Sequence, residues 1–151
     1  MKSAAILPPL LTRKNVELIQ EEGDCTVTGS YLLLYRAVYN LVENAIKYNH
    51  SGGKVTVKII SEKMICHAAH SKPTDYALVE VTDTGIGISP EFQEKIFDPF
   101  FRVDKSRSRA MGGAGLGLAL VNEIARQHGG QVKVLASSEQ GSTIALVLPL
   151  S

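Results

Sequence analysis

A chain of 151 residues, 44% hydrophobic and 21% charged, has the size and composition of one ordinary globular domain, which argues against a disordered or fibrous chain. A formal net charge of +1 argues against nucleic acid or an anionic membrane surface as the main partner, and no apolar run approaches the ~20 residues of a membrane span. The two cysteines, Cys25 and Cys66, are not paired by any spacing, and with no signal-peptide pattern the simplest setting is reduced and cytoplasmic.

Residues 1–12, MKSAAILPPLLT, read as a leader or the end of a linker, with Pro8–Pro9 stopping any helix, and residues 13–151 as one domain. Asn15–Gln20 and Cys25–Thr28 predict a hairpin around Glu22–Gly23–Asp24. Ser30 is placed to cap a long helix that ends near His50–Ser51, before Gly52–Gly53. Lys54–Ser61 and Tyr76–Thr82 alternate as strands, joined by an extended hairpin connection. Ser89–Pro90–Glu91 opens a short helix to Ile96, with proline at its first position. Phe100 to Gly113 is polar, basic and glycine-ended, and reads as a mobile loop. Leu116–His128 predicts a second long helix, stopped by Gly129–Gly130, and strands at Gln131–Ala136 and Thr143–Leu148 close the chain. The tally is an α/β two-layer arrangement: a mixed, mostly antiparallel sheet of about five strands with three helices on one face.

Within that frame, some stretches call for chemistry. On the first long helix, Arg36, Asn40, Glu43, Asn44 and Lys47 fall within roughly 100° of arc, opposite Leu34, Val38, Leu41, Val42 and Ala45. One flank packs; the other carries amides and a cation. A solvated face with a Glu43–Lys47 pair would also satisfy that spacing. Asp83-Thr84-Gly85-Ile86-Gly87-Ile88 places a carboxylate at a strand end, followed by glycines that let a ligand approach; a plain tight turn has the same look. Gly112–Leu118, GGAGLGL, leads a glycine cluster into a helix, offering free N–H groups and a positive dipole end to a phosphate, or simply a hinge. It matches neither the dinucleotide fingerprint nor a Walker loop. Cys66, His67 and His70 make a weak zinc candidate, and His50 and His128 suit helix ends as imidazolium ions.

Taken in order, NLVENAIKYN, DTGIGI, FDPFFRVD and GGAGLGLAL resemble the N, first glycine, phenylalanine and second glycine boxes of the histidine-kinase catalytic domain. That domain shares a superfamily with type II topoisomerases, mismatch-repair ATPases and a heat-shock chaperone, and the resemblance runs from about Asn15 to Leu148. It implies the Bergerat ATP-binding sandwich with a flexible ATP lid, and ATP and Mg2+ as cofactors. By resemblance, Asn44 gives an amide oxygen to the metal, a hard ion that prefers oxygen. Asn40 holds a phosphate or a metal-bound water, Lys47 supplies charge to the phosphates, and Tyr48 borders base and ribose. Asp83 accepts from the adenine amino group, while Gly85, Gly87 and Ile88 line the base. Arg102 is the lid cation that contacts phosphate. Gly113, Ala114, Gly115, Leu116, Gly117 and Leu118 bring the second glycine box to the phosphates. Thr143 represents the late Gly-Ser/Thr element.

The superfamily's hydrolases carry a glutamate one helical turn before the metal-binding asparagine, where this chain has Asn40. The resemblance therefore implies weak intrinsic ATP hydrolysis and a phosphoryl acceptor from elsewhere. In the family that acceptor is a histidine on a separate dimerisation domain, which relays onward to a response regulator receiver domain. No histidine occurs before His50, so the chain reads as the catalytic half alone, a cytoplasmic domain of a membrane-anchored bacterial sensor kinase with no direct membrane contact and no nucleic-acid partner. A serine kinase of the anti-sigma-factor type and a non-catalytic, nucleotide-gated interaction module are the alternatives.

Overall fold

The computed structural model describes residues 15–21, 23, 25–65, 73–99, 101 and 117–150, with the side chains of 62–65 and 73–74 outside that description. The elements in chain order are β1 (Glu17–Gln20), α1 (Tyr31–Lys47), β2 (Lys54–Ile65), β3 (Pro73–Asp83), α2 (Gly117–Gln127), β4 (Gln131–Ser138) and β5 (Gly141–Pro149). The strands form one sheet in the order β1-β2-β3-β5-β4. β1 runs parallel to β2, and the β2–β3, β3–β5 and β5–β4 pairs are antiparallel.

α1 forms where the sequence says it should. Ser30 has extended backbone and its Oγ accepts from the Leu33 N–H at 3.3 Å, satisfying one of the unpaired donors at the helix start. Leu34, Ala37, Val38, Leu41, Val42, Ala45 and Ile46 are buried at helical spacing. They face Val55 and Val57 of β2, Val79 and Val81 of β3, and Ile144, Leu146 and Leu148 of β5 in one continuous core. Each buried valine, leucine or isoleucine among them contributes about 1.5–3 kcal/mol by leaving water. Val121, Ile124 and Ala125 bring α2 onto the same core.

The opposite face of the sheet is also covered. Tyr76, Leu78, Ala145 and Val147 are buried there with Ile60 against them. β5 is consequently buried on both faces from Ile144 to Leu148, which explains why IALVL is a continuous apolar run rather than an alternating one.

Two segments depart from expectation. Asn15–Gln20 does not turn back into a hairpin with Cys25–Thr28. β1 instead continues beside β2, with Glu17 opposite Lys54 and the Glu21 N–H donating to the Val57 carbonyl at 2.9 Å. Cys25–Thr28 carries no strand. The short helix after Ser89 is a pair of single 3-10 turns, Pro90–Phe92 and Lys95–Phe97, with no side-chain cap at Ser89. Segments this short do not recover the cost of nucleating an α-helix.

α1 and α2 run antiparallel, and their ends are tied. At one end the Ser30 N–H donates to His128 Nε2 at 3.1 Å, while His128 Nδ1 lies 2.7 Å from the Ile124 carbonyl. With Nε2 accepting from Ser30, Nδ1 is the ring nitrogen left to donate to the Ile124 carbonyl. On the sheet's outer edge, β4 has a β-bulge between Val134 and Ala136 that leaves Leu135 42% exposed.

Candidate functional site

The C-terminal half of α1, the loop after β3 and the start of α2 meet at one end of the helical layer. The first helix ends at Lys47, and the Tyr48 N–H closes its last turn on the Asn44 carbonyl. Asn40, Glu43, Asn44 and Lys47 are half-buried along its polar flank, and Arg36 is exposed. Opposite them, the Asn40 amide donates to the carbonyl of Gly117, the first residue of α2, at 3.4 Å. That contact places the positive end of the α2 dipole beside Asn40. Among the described residues, a Cβ built on Gly117 would meet nothing within 4 Å, so the space at that helix start is open.

Asp83 closes β3 and its carboxylate is held from several directions. Oδ1 accepts from the Gly85 N–H at 2.9 Å and the Ser142 N–H at 3.3 Å, and Oδ2 accepts from Ser142 Oγ at 3.0 Å. An ionised carboxylate has about four acceptor positions, so these bonds leave one on Oδ2 for a further donor. The loop beyond is equally fixed. The Ile88 N–H donates to Ser137 Oγ at 2.7 Å, and Gln93 Nε2 donates to the Ile88 carbonyl at 3.1 Å. Gly87 has φ 76°, and a Cβ there would overlap the Ser138 carbonyl, so glycine is required twice over. Ile86 projects outward, 52% exposed.

The structure therefore sets Asp83 and Gly85 against Tyr48 at the end of α1 and Gly117 beside Asn40, with Asn44 and Lys47 between them on the same helix and Gly87 further along the Asp83 loop. Ile88 and Leu118 are partly buried against the main core, so their side chains serve packing. Thr143 lies on the other face of the sheet from Asp83, its hydroxyl 2.9 Å from that of its cross-strand neighbour Thr82. Ser142, opposite Asp83 in the register, holds the place that Thr143 was expected to fill. Period-two alternation along Ser142, Ile144 and Leu146 carried that information. Ser137 and Asn49 had no such signal, because the bonds that tie them to the Asp83 loop, to Ile88 and to Thr84, span 49 and 35 residues. Arg102, Gly113, Ala114, Gly115 and Leu116 lie outside the described residues, as do the Phe100–Gly113 lid apart from Phe101 and the Cys66, His67 and His70 group. Among the described residues no cluster of acidic, cysteine and histidine side chains could hold a metal, and no helix is long and apolar enough to cross a membrane.

Known proteins share this arrangement. Residues 29–151 match the family model described as histidine kinase-, DNA gyrase B-, and HSP90-like ATPase. The chain is 45% identical over 125 residues to the sensor-like histidine kinase SenX3 of Mycobacterium tuberculosis, covering 82% of this chain and 27% of SenX3. It is 39% identical over 128 residues to the sensor histidine kinase RppB of Synechocystis, covering 85% of this chain and 26% of RppB. The chain thus spans about a quarter of the length of these relatives. Among solved structures, the mycobacterial sensor histidine kinase MprB superposes with a TM-score of 0.76 at 30% identity, over 97% of this chain and 91% of that one. With the family model covering most of the chain and relatives at this level of identity, the chain belongs to the family of histidine kinase-, DNA gyrase B- and HSP90-like ATPases.

Proposed function

We propose that this chain is the ATP-binding catalytic domain of a two-component sensor histidine kinase. It binds Mg-ATP and passes the γ-phosphoryl group to a histidine on a separate dimerisation domain of the parent protein, for relay to a response regulator receiver domain. The observation that carries the reading is the junction of Asp83, held by Ser142 and Gly85, with the Asn40–Asn44–Lys47 flank and the start of α2.

The remaining acceptor position on Asp83 suits the exocyclic amino group of adenine. Guanine would set a carbonyl oxygen against the carboxylate, and the lost donor leaves a charged acceptor unpaired, at a cost of about 1–3 kcal/mol or more. Ser142 supports that selection by donating to Oδ2, which makes it the binding-site member of the Gly-Ser-Thr element in place of Thr143. Lys47 and the α2 N-terminus supply positive potential for the phosphates. The donor set fits magnesium: the Asn44 amide offers a hard neutral oxygen, and such an ion takes its other ligands from phosphates and water. When bound, Mg2+ would neutralise phosphate charge.

Asn40 decides against efficient hydrolysis. Its amide cannot take a proton from water, and one of its N–H groups donates to the Gly117 carbonyl. Phosphoryl transfer needs placement and charge neutralisation rather than covalent help from the domain. An imidazole nitrogen of the acceptor forms the new P–N bond, the bond to the β-phosphate oxygen breaks, ADP leaves, and the ring loses its N–H proton to solvent. We further place the domain on the cytoplasmic side of a membrane-anchored bacterial sensor, a reading supported by the sensor kinases it resembles and by a sequence with only two cysteines.

The test is transfer in trans. Supplied with Mg-ATP and the two-helix acceptor domain of the parent, the chain should deliver acid-labile phosphate to histidine. Acid-stable phosphate on serine would mark a serine kinase instead, and nucleotide binding without transfer would mark a gating module.

A further inference from the structure

Asn49 sits just beyond α1 and is 3% exposed, a buried polar side chain that no part of the nucleotide reading uses. Burying an amide is costly unless its nitrogen and oxygen both find partners, and here both do. Its Nδ2 donates to the Lys54 carbonyl at 2.9 Å. Its Oδ1 accepts from the His50 N–H at 2.9 Å and from the Thr84 hydroxyl at 3.2 Å. Thr84 and Lys54 close the knot between themselves: the Lys54 N–H donates to Thr84 Oγ1 at 2.8 Å, and the Thr84 N–H donates to the Lys54 carbonyl at 3.1 Å. No buried side-chain nitrogen or oxygen among the described residues lacks a partner.

This one amide ties the end of α1 to a pair already joined to each other, the start of β2 and the residue after Asp83. The fit around it is close. A Cβ on Gly53 would overlap Asn49 Oδ1, and a Cβ on Gly85 would press on the Tyr48 carbonyl and lie 3.2 Å from Asn49 Cα. The Asp83 loop therefore rests directly on the backbone that terminates α1. Its far side is pinned separately by Ser137.

We propose that Asn49 is a positioning residue: by clamping Thr84 and Lys54 to the end of α1, it fixes the distance between the carboxylate of Asp83 and the amide-bearing flank of α1. This rests on the nucleotide reading above, in which those are the two ends of one ligand. A ligand that spans both ends binds well only if their separation is preset, because ordering the loop on binding subtracts from affinity. Asn49 touches no ligand and acts through Asp83.

A double-mutant cycle on the full chain, titrated with Mg-ADP by calorimetry, tests this. Asn49→Ala should weaken binding by about tenfold in the otherwise wild-type chain and cause no further loss in an Asp83→Asn background. A purely structural role for Asn49 would give equal losses in both backgrounds, and that additivity would overturn the proposal while leaving the nucleotide reading intact. Absence of Mg-ADP binding by folded wild-type chain would remove the nucleotide reading and this proposal with it. Should Asn49→Ala fail to fold, Thr84→Val and Thr84→Ser replace it. The valine variant loses the hydroxyl that Asn49 accepts from and should bind about tenfold more weakly than the serine variant, which keeps it. Equal affinities of the two would overturn the proposal.

Discussion

The two ends of the candidate site are built on different principles. At the Asp83 end the chain holds itself: Gly85, Ser142, Ser137, Thr84 and Asn49 fix a short loop through bonds of 2.7–3.3 Å, and glycines let backbones touch. At the other end the polar groups ride on a single helix flank, and the link from Asn40 to α2 is a long one at 3.4 Å. A rigid end is suited to discriminating between bases, since a misplaced or absent donor cannot be accommodated by movement. A helix flank of amides and a lysine is suited to phosphates, whose charge is attracted over a range of geometries.

The most damaging change should leave neither end standing. Leu41→Ala removes a fully buried side chain between α1 and the sheet, and a stability loss of about 2–5 kcal/mol is expected in denaturant titration. Next in size, Asp83→Asn should reduce Mg-ATP affinity by about 1–3 kcal/mol and flatten the preference for ATP over GTP. An unchanged preference in competitive titration would deny the rigid end its selective role. Asn44→Ala is expected to cost about 1 kcal/mol of ATP affinity in the presence of Mg2+ and to abolish the magnesium dependence of binding, with base preference intact. If base preference changed as well, the two ends would not be separable. Smallest of all, Thr143→Val on the far face should leave nucleotide affinity unaltered, while Ser142→Ala lowers it; the reverse order would move the site to the other face of the sheet.

Much of this was legible in the sequence, for reasons that differ by element. α1 could be read to within a few residues because burial at every third or fourth position and a Ser30 cap are local properties. The Asp83 loop was recognisable from its motif. Its support was not: Ser137, Ser142 and Asn49 reach it across the sheet or around a helix end, and only tertiary contact reveals such pairs. The misread hairpin at Asn15–Thr28 has the same origin. A strand next to turn residues prefers its neighbour unless a crossover helix gives it a better parallel partner, as α1 does for β1 and β2. Thr143 and Ser142 differ by one residue in sequence and by the whole thickness of the sheet in space, which is the cost of a one-residue slip in a period of two.

The margins of the sheet carry a last consequence. Among the described residues β1 offers four along one border, and the bulge at Leu135 interrupts the register of the other. Neither presents the long, flat ribbon of free amides on which a second molecule could zip itself, so high local concentrations, as when many copies crowd together on one surface, should not drive this domain into strand-by-strand fibres.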